Sequence, residues 1–135
     1  MIPRLVFPDV VAWACSYLRD ALGQRPETYT ENVHVGANTP DPRKNRMVIV
    51  REDGGARLDD GVRDSCLLGI NVWATSEQEA RQLAQLVRSL LWAAPDGSNS
   101  VVRVESGTRP VMVPDESKQA RAFFTIPVVV TGSPL

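Results

Sequence analysis

The sequence has few of the residue patterns on which enzymes and metalloproteins depend. Its 135 residues include only two cysteines and one histidine. Gly-x-Ser-x-Gly, Walker-type, Gly-x-Gly-x-x-Gly and Cys-x-x-Cys motifs are all missing, and these motifs supply the nucleophiles, phosphate-binding amides and metal ligands of common enzyme classes. We therefore expect a protein that is not an enzyme and has no catalytic, cofactor-binding or metal-binding residues.

The cysteine and histidine content also limits the redox and metal chemistry. Cys15 lies in a predicted helix and Cys66 in a predicted strand, so we expect two buried free thiols and no disulfide. His34 has no cysteine or acidic residue near it at metal-ligand spacing, so we expect a structural or exposed histidine. This cysteine usage fits synthesis in a reducing compartment.

Long apolar runs and an excess of positive charge are missing too. Apolar runs cover only a few residues, whereas a helix that spans a bilayer needs about 20, and the start of the chain lacks a signal-peptide pattern. We expect an unprocessed protein with no membrane partner. The net charge of -1 argues against a protein that wraps nucleic acid. The length and the 43% hydrophobic content fit one globular domain, residues 1–135.

The clearest pattern that is present is a strand leading into a capped helix. Apolar residues alternate over residues 66–74, as in a strand with one buried face. Ser76 and Glu79 have the spacing of a capping box, in which each side chain accepts a hydrogen bond from the other residue's amide. The apolar stripe of the helix comprises Ala80, Leu83, Ala84, Val87, Leu90, Leu91 and Ala94. The side expected to face outward includes Arg81, Gln85 and Arg88.

The remaining elements complete an α+β pattern. Pro8-Asp9 begins a helix that Gly23 ends, and strands are predicted at residues 32–35, 47–50, 101–105 and 120–131. In the strand at 101–105, Val102 and Val104 are expected to be the buried positions. Pro127 has no amide hydrogen, so we expect the last strand to lie at a sheet edge or to carry a bulge. The order α-β-β-β-α-β-β predicts a mixed, mostly antiparallel sheet with two helices packed on it.

A long charged β-hairpin tip is predicted between the strand at 47–50 and the strand that begins at Cys66. Arg51-Glu52-Asp53-Gly54-Gly55 is a strong turn pattern, so the tip should extend from residue 52 to residue 64. Its acidic residues could bind a hard cation, but the interleaved arginines would compete for them, which favours a solvated, ion-paired tip. The cation would be bound by Asp59, Asp60 and Asp64. The charged residues in or beside the tip are Glu52, Asp53, Asp59, Asp60, Asp64, Arg51, Arg57 and Arg63.

Three further features are candidate interaction surfaces. The basic loop of Arg43, Lys44 and Arg46 could contact an acidic partner or nucleic acid, although an ordinary exposed loop is favoured. Trp92 falls on the polar side of its helix, where it either anchors a protein contact or folds back onto the following loop. The final strand is apolar on both faces, so it is either sandwiched within the domain or covered by a neighbouring subunit. The candidate interface residues are Arg43, Lys44, Arg46, Asp53, Arg57, Asp59, Asp60, Arg63, Arg81, Arg88 and Trp92.

The order of elements and two segments resemble the tail terminator proteins of long, flexible-tailed bacteriophages. The first segment is Asn-Val-Trp-Ala-Thr-Ser at residues 71–76, followed by Glu79-Ala80-Arg81. The second is Arg-Ala-Phe-Phe-Thr-Ile-Pro-Val-Val-Val-Thr-Gly at residues 121–132. The resemblance spans most of the chain, from the first helix to Gly132.

This resemblance implies an α+β protein that forms a homohexameric ring on the tail tube. Such a ring stops polymerisation of the tail tube protein, joins the tail to the head-neck connector protein and lets genomic DNA pass through its lumen. It would lie at the tail-neck junction of the virion after assembly in the host cytoplasm. The family has no catalytic residues to transfer to this chain.

Two other classes of function remain open at this point. Another neck, head-closure or tail-completion subunit would share the same layout of elements. A small-ligand-binding or enzymatic α+β domain is less favoured, because it would need a concave site with convergent polar groups.

Overall fold

The computed structural model describes residues 4–58, 60–97 and 99–135. Within these residues the strands and helices follow one another in the order β1 (Leu5–Val6), α1 (Val10–Gly23), β2 (His34–Gly36), β3 (Met47–Arg57), β4 (Arg63–Ala74), α2 (Glu77–Trp92), β5 (Val101–Val104), β6 (Val111–Val113), β7 (Ala120–Thr131) and β8 (Ser133–Pro134). A single 3-10 turn, Thr28–Thr30, follows α1. The predicted order α-β-β-β-α-β-β is confirmed for the main elements, and the short strands β1, β6 and β8 were missed.

The main sheet has the strand order β2-β3-β4-β7-β5, with β6 also paired to β7. The β2–β3 pair is parallel and the other described pairs are antiparallel, so the predicted mixed, mostly antiparallel sheet is confirmed. The strands β1 and β8 form a separate two-stranded ribbon. In the part of the chain that the structure describes, no helix has the length and apolar character needed to span a membrane.

Both helices begin at the predicted caps. Asp9 accepts a hydrogen bond from the Ala12 amide at 3.0 Å, and Ser76 Oγ accepts one from the Glu79 amide at 3.1 Å. The second half of the capping box is not formed. The Glu79 carboxylate instead accepts hydrogen bonds from the Thr75 amide and from the side chain of Arg46, which offers a stronger, charge-assisted bond.

Both helices cover one face of the sheet, here called the helix face. Tyr17 on α1 donates a 2.7 Å hydrogen bond to the Leu90 carbonyl of α2, which joins the two helices. Burial of the helix face follows the predicted alternation and the predicted helical stripe, with Leu90 half-buried at its edge. The largest buried side chains of this core are Phe124, Leu18, Leu68, Ile70, Leu83, Leu91 and Ile126. Both cysteines are free and buried as expected, and burial raises the pKa of the Cys66 thiol to about 12.

The predicted turn at residues 51–55 is wrong, because β3 continues through it to Arg57. The β3–β4 register shifts between Glu52 and Gly55, which marks a β-bulge, and both Gly54 and Gly55 have positive φ angles. A Cβ atom on Gly55 would lie 1.8 Å from the Ser65 carbonyl oxygen, so only glycine fits there. The glycine pair therefore bends a strand, and the paired strands of the hairpin extend to Arg57 on one side and begin at Arg63 on the other.

The expectation for Pro127 is also wrong, since β7 lies inside the sheet. Leu67 of β4 pairs with Pro127 on one side, and β5 and β6 pair with β7 on the other. The Pro127 carbonyl accepts a 2.9 Å hydrogen bond from the Glu105 amide, so its ring nitrogen faces the gap between β5 and β6. No donor is needed in that gap. The partner strand β5 carries a register shift between Val101 and Arg103, which leaves Val102 exposed and Val101 buried, opposite to the prediction.

Candidate interaction surfaces

The basic loop is held by its own chain. Arg46 donates to both carboxylate oxygens of Glu79, at 2.8 and 3.2 Å, and to the Glu31 carbonyl at 3.0 Å. The hydrogen bond with Arg46 is the largest cause that lowers the pKa of Glu79. Arg43 donates to Gln119 Oε1, while the Lys44 carbonyl accepts from the same Gln119 amide group. Two of the three predicted contact residues therefore fix the loop to α2 and to the segment before β7.

This loop covers the sheet face that lies away from the helices, here called the opposite face. The guanidinium groups of Arg43 and Arg121 lie 5.4 and 5.6 Å from the ring centroid of Trp73. Arg121 Nε also donates to the buried Asn71 side chain at 2.9 Å, and both arginines lie 3.6 Å from Asp115. We call these five residues the Trp73 cluster. Beneath it, Met47, Ile49 and Trp73 form a second, small apolar core.

Asp115 carries the negative charge of the Trp73 cluster. Burial is the largest single influence and would raise the pKa of its carboxyl group, but the hydrogen bonds of Ser117, the nearby Trp73 side chain and the charge of Arg43 together outweigh burial, so its pKa lies below the ordinary range. Sequence patterns did not identify this cluster as a site. Its members come from four separate segments, and only the register of β4 against β7, which places Trp73 opposite Arg121, brings them together.

The charges of the hairpin are paired locally. Arg51 donates to Asp53 at 2.8 Å, and Asp60 accepts from the amides of Val62 and Arg63 and forms an ion pair with the Arg63 side chain. The hydrogen bond from the Val62 amide is the largest cause that lowers the pKa of Asp60. Asp59 lies outside the described residues. Among the residues that are described, no cluster of His, Cys, Asp and Glu could hold a metal ion.

The hairpin also exposes a strand edge. The short strand β2 pairs only with Met47, Val48 and Ile49 of β3, so the outer edge of residues 50–57 has no described partner strand. Residues 51–57 are exposed. Arg57 places its guanidinium 5.3 Å from the ring centroid of Phe7 and donates to the Gly61 carbonyl at 2.8 Å. The edge is thus charged along its length, which hinders unspecific strand pairing.

The surface of α2 differs from the prediction at Arg88. Arg81 is exposed and pairs with Glu77 at 2.8 Å, as a helix-surface residue should. Arg88, expected to face outward, has only 8% of its surface exposed, and its guanidinium stacks 4.3 Å from the ring centroid of Trp92. Trp92 donates to the Glu105 carbonyl at 3.2 Å, so it folds back onto the following segment, yet 41% of the residue stays exposed. A contact between Trp92 and a partner stays a prediction.

An apolar cleft between the start of α1 and the end of β7 has no titratable side chain in its lining. It measures about 250 Å³ and is lined by Pro8, Val10, Trp13, Asn99, Ser100, Val101 and Val130. None of these lining residues is titratable, so the cleft lacks the convergent acid-base groups that a small-molecule enzyme site needs.

Comparisons with known proteins identify the fold class of this chain. No protein-family model matches the sequence, and no curated protein is detectably similar to it. Among solved structures, the same class of α+β fold occurs in a chain from the virion of a native gene transfer agent (GTA) particle. The two chains are 19% identical, the TM-score is 0.64, and the match covers 91% of this chain and 95% of the other. A likeness at this identity shows a shared fold.

Proposed function

We propose that the protein is a structural component of a phage-like virion. The observation that carries this proposal is the fold match to a chain of a gene transfer agent virion, because it extends over 91% of one chain and 95% of the other. Two proteins that share the fold over nearly their whole length, with no large insertion in either, present similarly shaped surfaces to neighbouring subunits. The sequence resemblance to tail terminators points in the same direction by a separate route.

Within the virion, we propose that the protein is the tail terminator. In this role a homohexameric ring caps the tail tube, stops its polymerisation and joins it to the head-neck connector at the tail-neck junction. The ring would assemble in the host cytoplasm. A ring made by head-to-tail contacts needs two different, complementary patches on each subunit. The sheet offers two unlike edges: residues 50–57 of β3 are charged, whereas the other side exposes Val102 of β5 and Val111 of β6.

The charge distribution suits a lumen through which DNA moves. The net charge is -1, and the described hairpin and loop arginines Arg43, Arg46, Arg51 and Arg63 form ion pairs within the chain. Phosphates bind tightly where several unpaired cations converge. A surface whose cations are already paired lets DNA slide, which is the property that the terminator role requires.

Disruption of the gene in a strain that produces the particles tests this role. We expect tails of irregular length that fail to join heads, seen by electron microscopy, and restoration of uniform joined tails when the wild-type gene is supplied. Uniform tails with unjoined or leaking heads would instead identify a head-closure or other neck subunit. Normal joined virions without the protein would refute both assignments.

A further inference from the structure

Arg88 is a buried cation without an acceptor in the described chain. Only 8% of the residue is exposed, and its Nε atom is buried with no hydrogen-bond partner. No described carboxylate forms an ion pair with it. The half-buried Arg46 and Arg121, by contrast, donate to side-chain and carbonyl oxygens of their own chain.

The stacking on Trp92 does not satisfy this group. A cation 4.3 Å from the centroid of an aromatic ring is attracted to the ring face, which offsets part of the cost of burial. The ring provides no oxygen to the guanidinium, and Nε is the nitrogen that is buried without an acceptor. Buried polar groups are nearly always hydrogen-bonded, so a buried charge with open donors points to a missing acceptor.

We propose that Arg88 and Trp92 form a receptor for a carboxylate of a second copy of this chain. The inference rests on the proposed ring function. Arginine prefers planar two-oxygen acceptors, and exposed tryptophan beside arginine is the composition of strong contact points between proteins. Trp92 is 41% exposed, so the ring that stacks on Arg88 lies at the surface.

The chain itself carries suitable acids. The exposed carboxylates that form no ion pair within the described residues include Asp20, Asp41 and Glu116. Each is free to bind a cation on a neighbour. A DNA phosphate fits less well, because phosphate binding relies on several exposed cations together, whereas Arg88 is recessed and the nearby Arg81 is already paired with Glu77.

Replacement of Arg88 by methionine tests the receptor. Methionine keeps the length and the apolar packing of the side chain and removes its charge. Sedimentation velocity over a series of concentrations, alone and with the tail tube protein, would measure assembly, and thermal unfolding would measure the stability of the subunit. For Arg88→Met we expect at least about a tenfold loss in assembly affinity with a melting temperature that is unchanged or higher, because the buried charge is removed and no internal hydrogen bond or ion pair is lost.

Gln82→Met is the matched control, since it places methionine at an exposed position of the same helix, and it should change neither quantity. Arg88→Lys should retain part of the assembly because it keeps the charge but not the two-oxygen geometry. Assembly of Arg88→Met at wild-type affinity would overturn the receptor alone and leave the ring proposal standing. A sharp fall in its melting temperature would place the acceptor inside the subunit and also overturn the receptor. Failure of the wild type to assemble under every condition would remove the ring and the receptor together.

Discussion

The two faces of the sheet are stabilised by different means. The helix face is covered by α1 and α2 mainly through aliphatic and aromatic side chains, with the buried Arg88 at the border of the apolar stripe of α2. On the opposite face, Arg43 and Asp115 from two loops pack against Trp73 and Arg121 of the sheet. Apolar packing is stabilised by the area that is buried, so many combinations of apolar side chains satisfy it. A charged cluster requires particular partner residues. The two faces should therefore respond differently to mutation and to pH.

The largest expected effect comes from a pair of adjacent phenylalanines that point to opposite faces. Phe124 is fully buried in the helix face, and Phe123 is half-buried beneath Arg51, whose guanidinium lies 5.3 Å from its ring centroid. We expect Phe124→Ala to lower the free energy of unfolding by about 4 kcal/mol, because it leaves a cavity in a closed core.

Phe123→Ala is the matched comparison and should lower it by only about 1 kcal/mol, since the site opens to solvent. Chemical denaturation of both variants measures the difference. Similar losses from the two substitutions would show that the opposite face is packed as tightly as the helix face.

A smaller effect is expected from Arg121→Met, which removes a donor from the Trp73 cluster. Asn71 is 4% exposed, and Arg121 is the described donor to its side-chain oxygen. Loss of that donor leaves a buried amide oxygen unsatisfied, which should lower the free energy of unfolding by about 2 kcal/mol. The double variant Asn71→Leu with Arg121→Met should recover part of this loss, and if it loses still more, the hydrogen bond is not the cause.

The smallest effect concerns pH and is confined to the opposite face. The pKa of Asp115 is lowered in the folded protein, so its ionised form stabilises the fold above the unfolded-state pKa, and this contribution is lost as the pH falls through the acidic range. Asp115→Asn should therefore reduce the decrease in stability between neutral and acidic pH, by about 1 kcal/mol. Thermal unfolding across the pH range measures it. Asp41→Asn, at an exposed residue without an ion pair, is the control, and an equal effect from both would disprove the role of the cluster.

Periodicity predicted the helix face well because that face depends on repeating apolar positions. The caps at Asp9 and Ser76, the alternation along β4 and the stripe of α2 are local patterns, and each has one structural interpretation. The Trp73 cluster was not predictable in the same way. Arg43 and Arg121 reach Trp73 from segments that lie far from it in the chain, and no local spacing records such a contact.

Two of the wrong predictions, the turn at Gly54-Gly55 and the outward position of Arg88, concern residues for which the sequence also allows the observed structure. Gly54-Gly55 fits a turn and a bulge equally well, and only the length of the strand that pairs with it decides between them. Arg88 follows the buried Ala84 by four positions and precedes Leu91 by three, so it sits at the border of the apolar stripe and not on the opposite side. A border position with a long apolar stem is where an arginine can be buried.

The pairing of β4 with β7 has a mechanical consequence. The two strands stay in register over their whole length, from Arg63 opposite Thr131 to Ala74 opposite Ala120. Antiparallel hydrogen bonds lie perpendicular to the strands, so a force that pulls along the strand axis strains all of them at once, whereas a force across the sheet breaks them one after another. The subunit should therefore resist a larger force along the strand axis than across the sheet, where the β4–β7 hydrogen bonds would break in sequence.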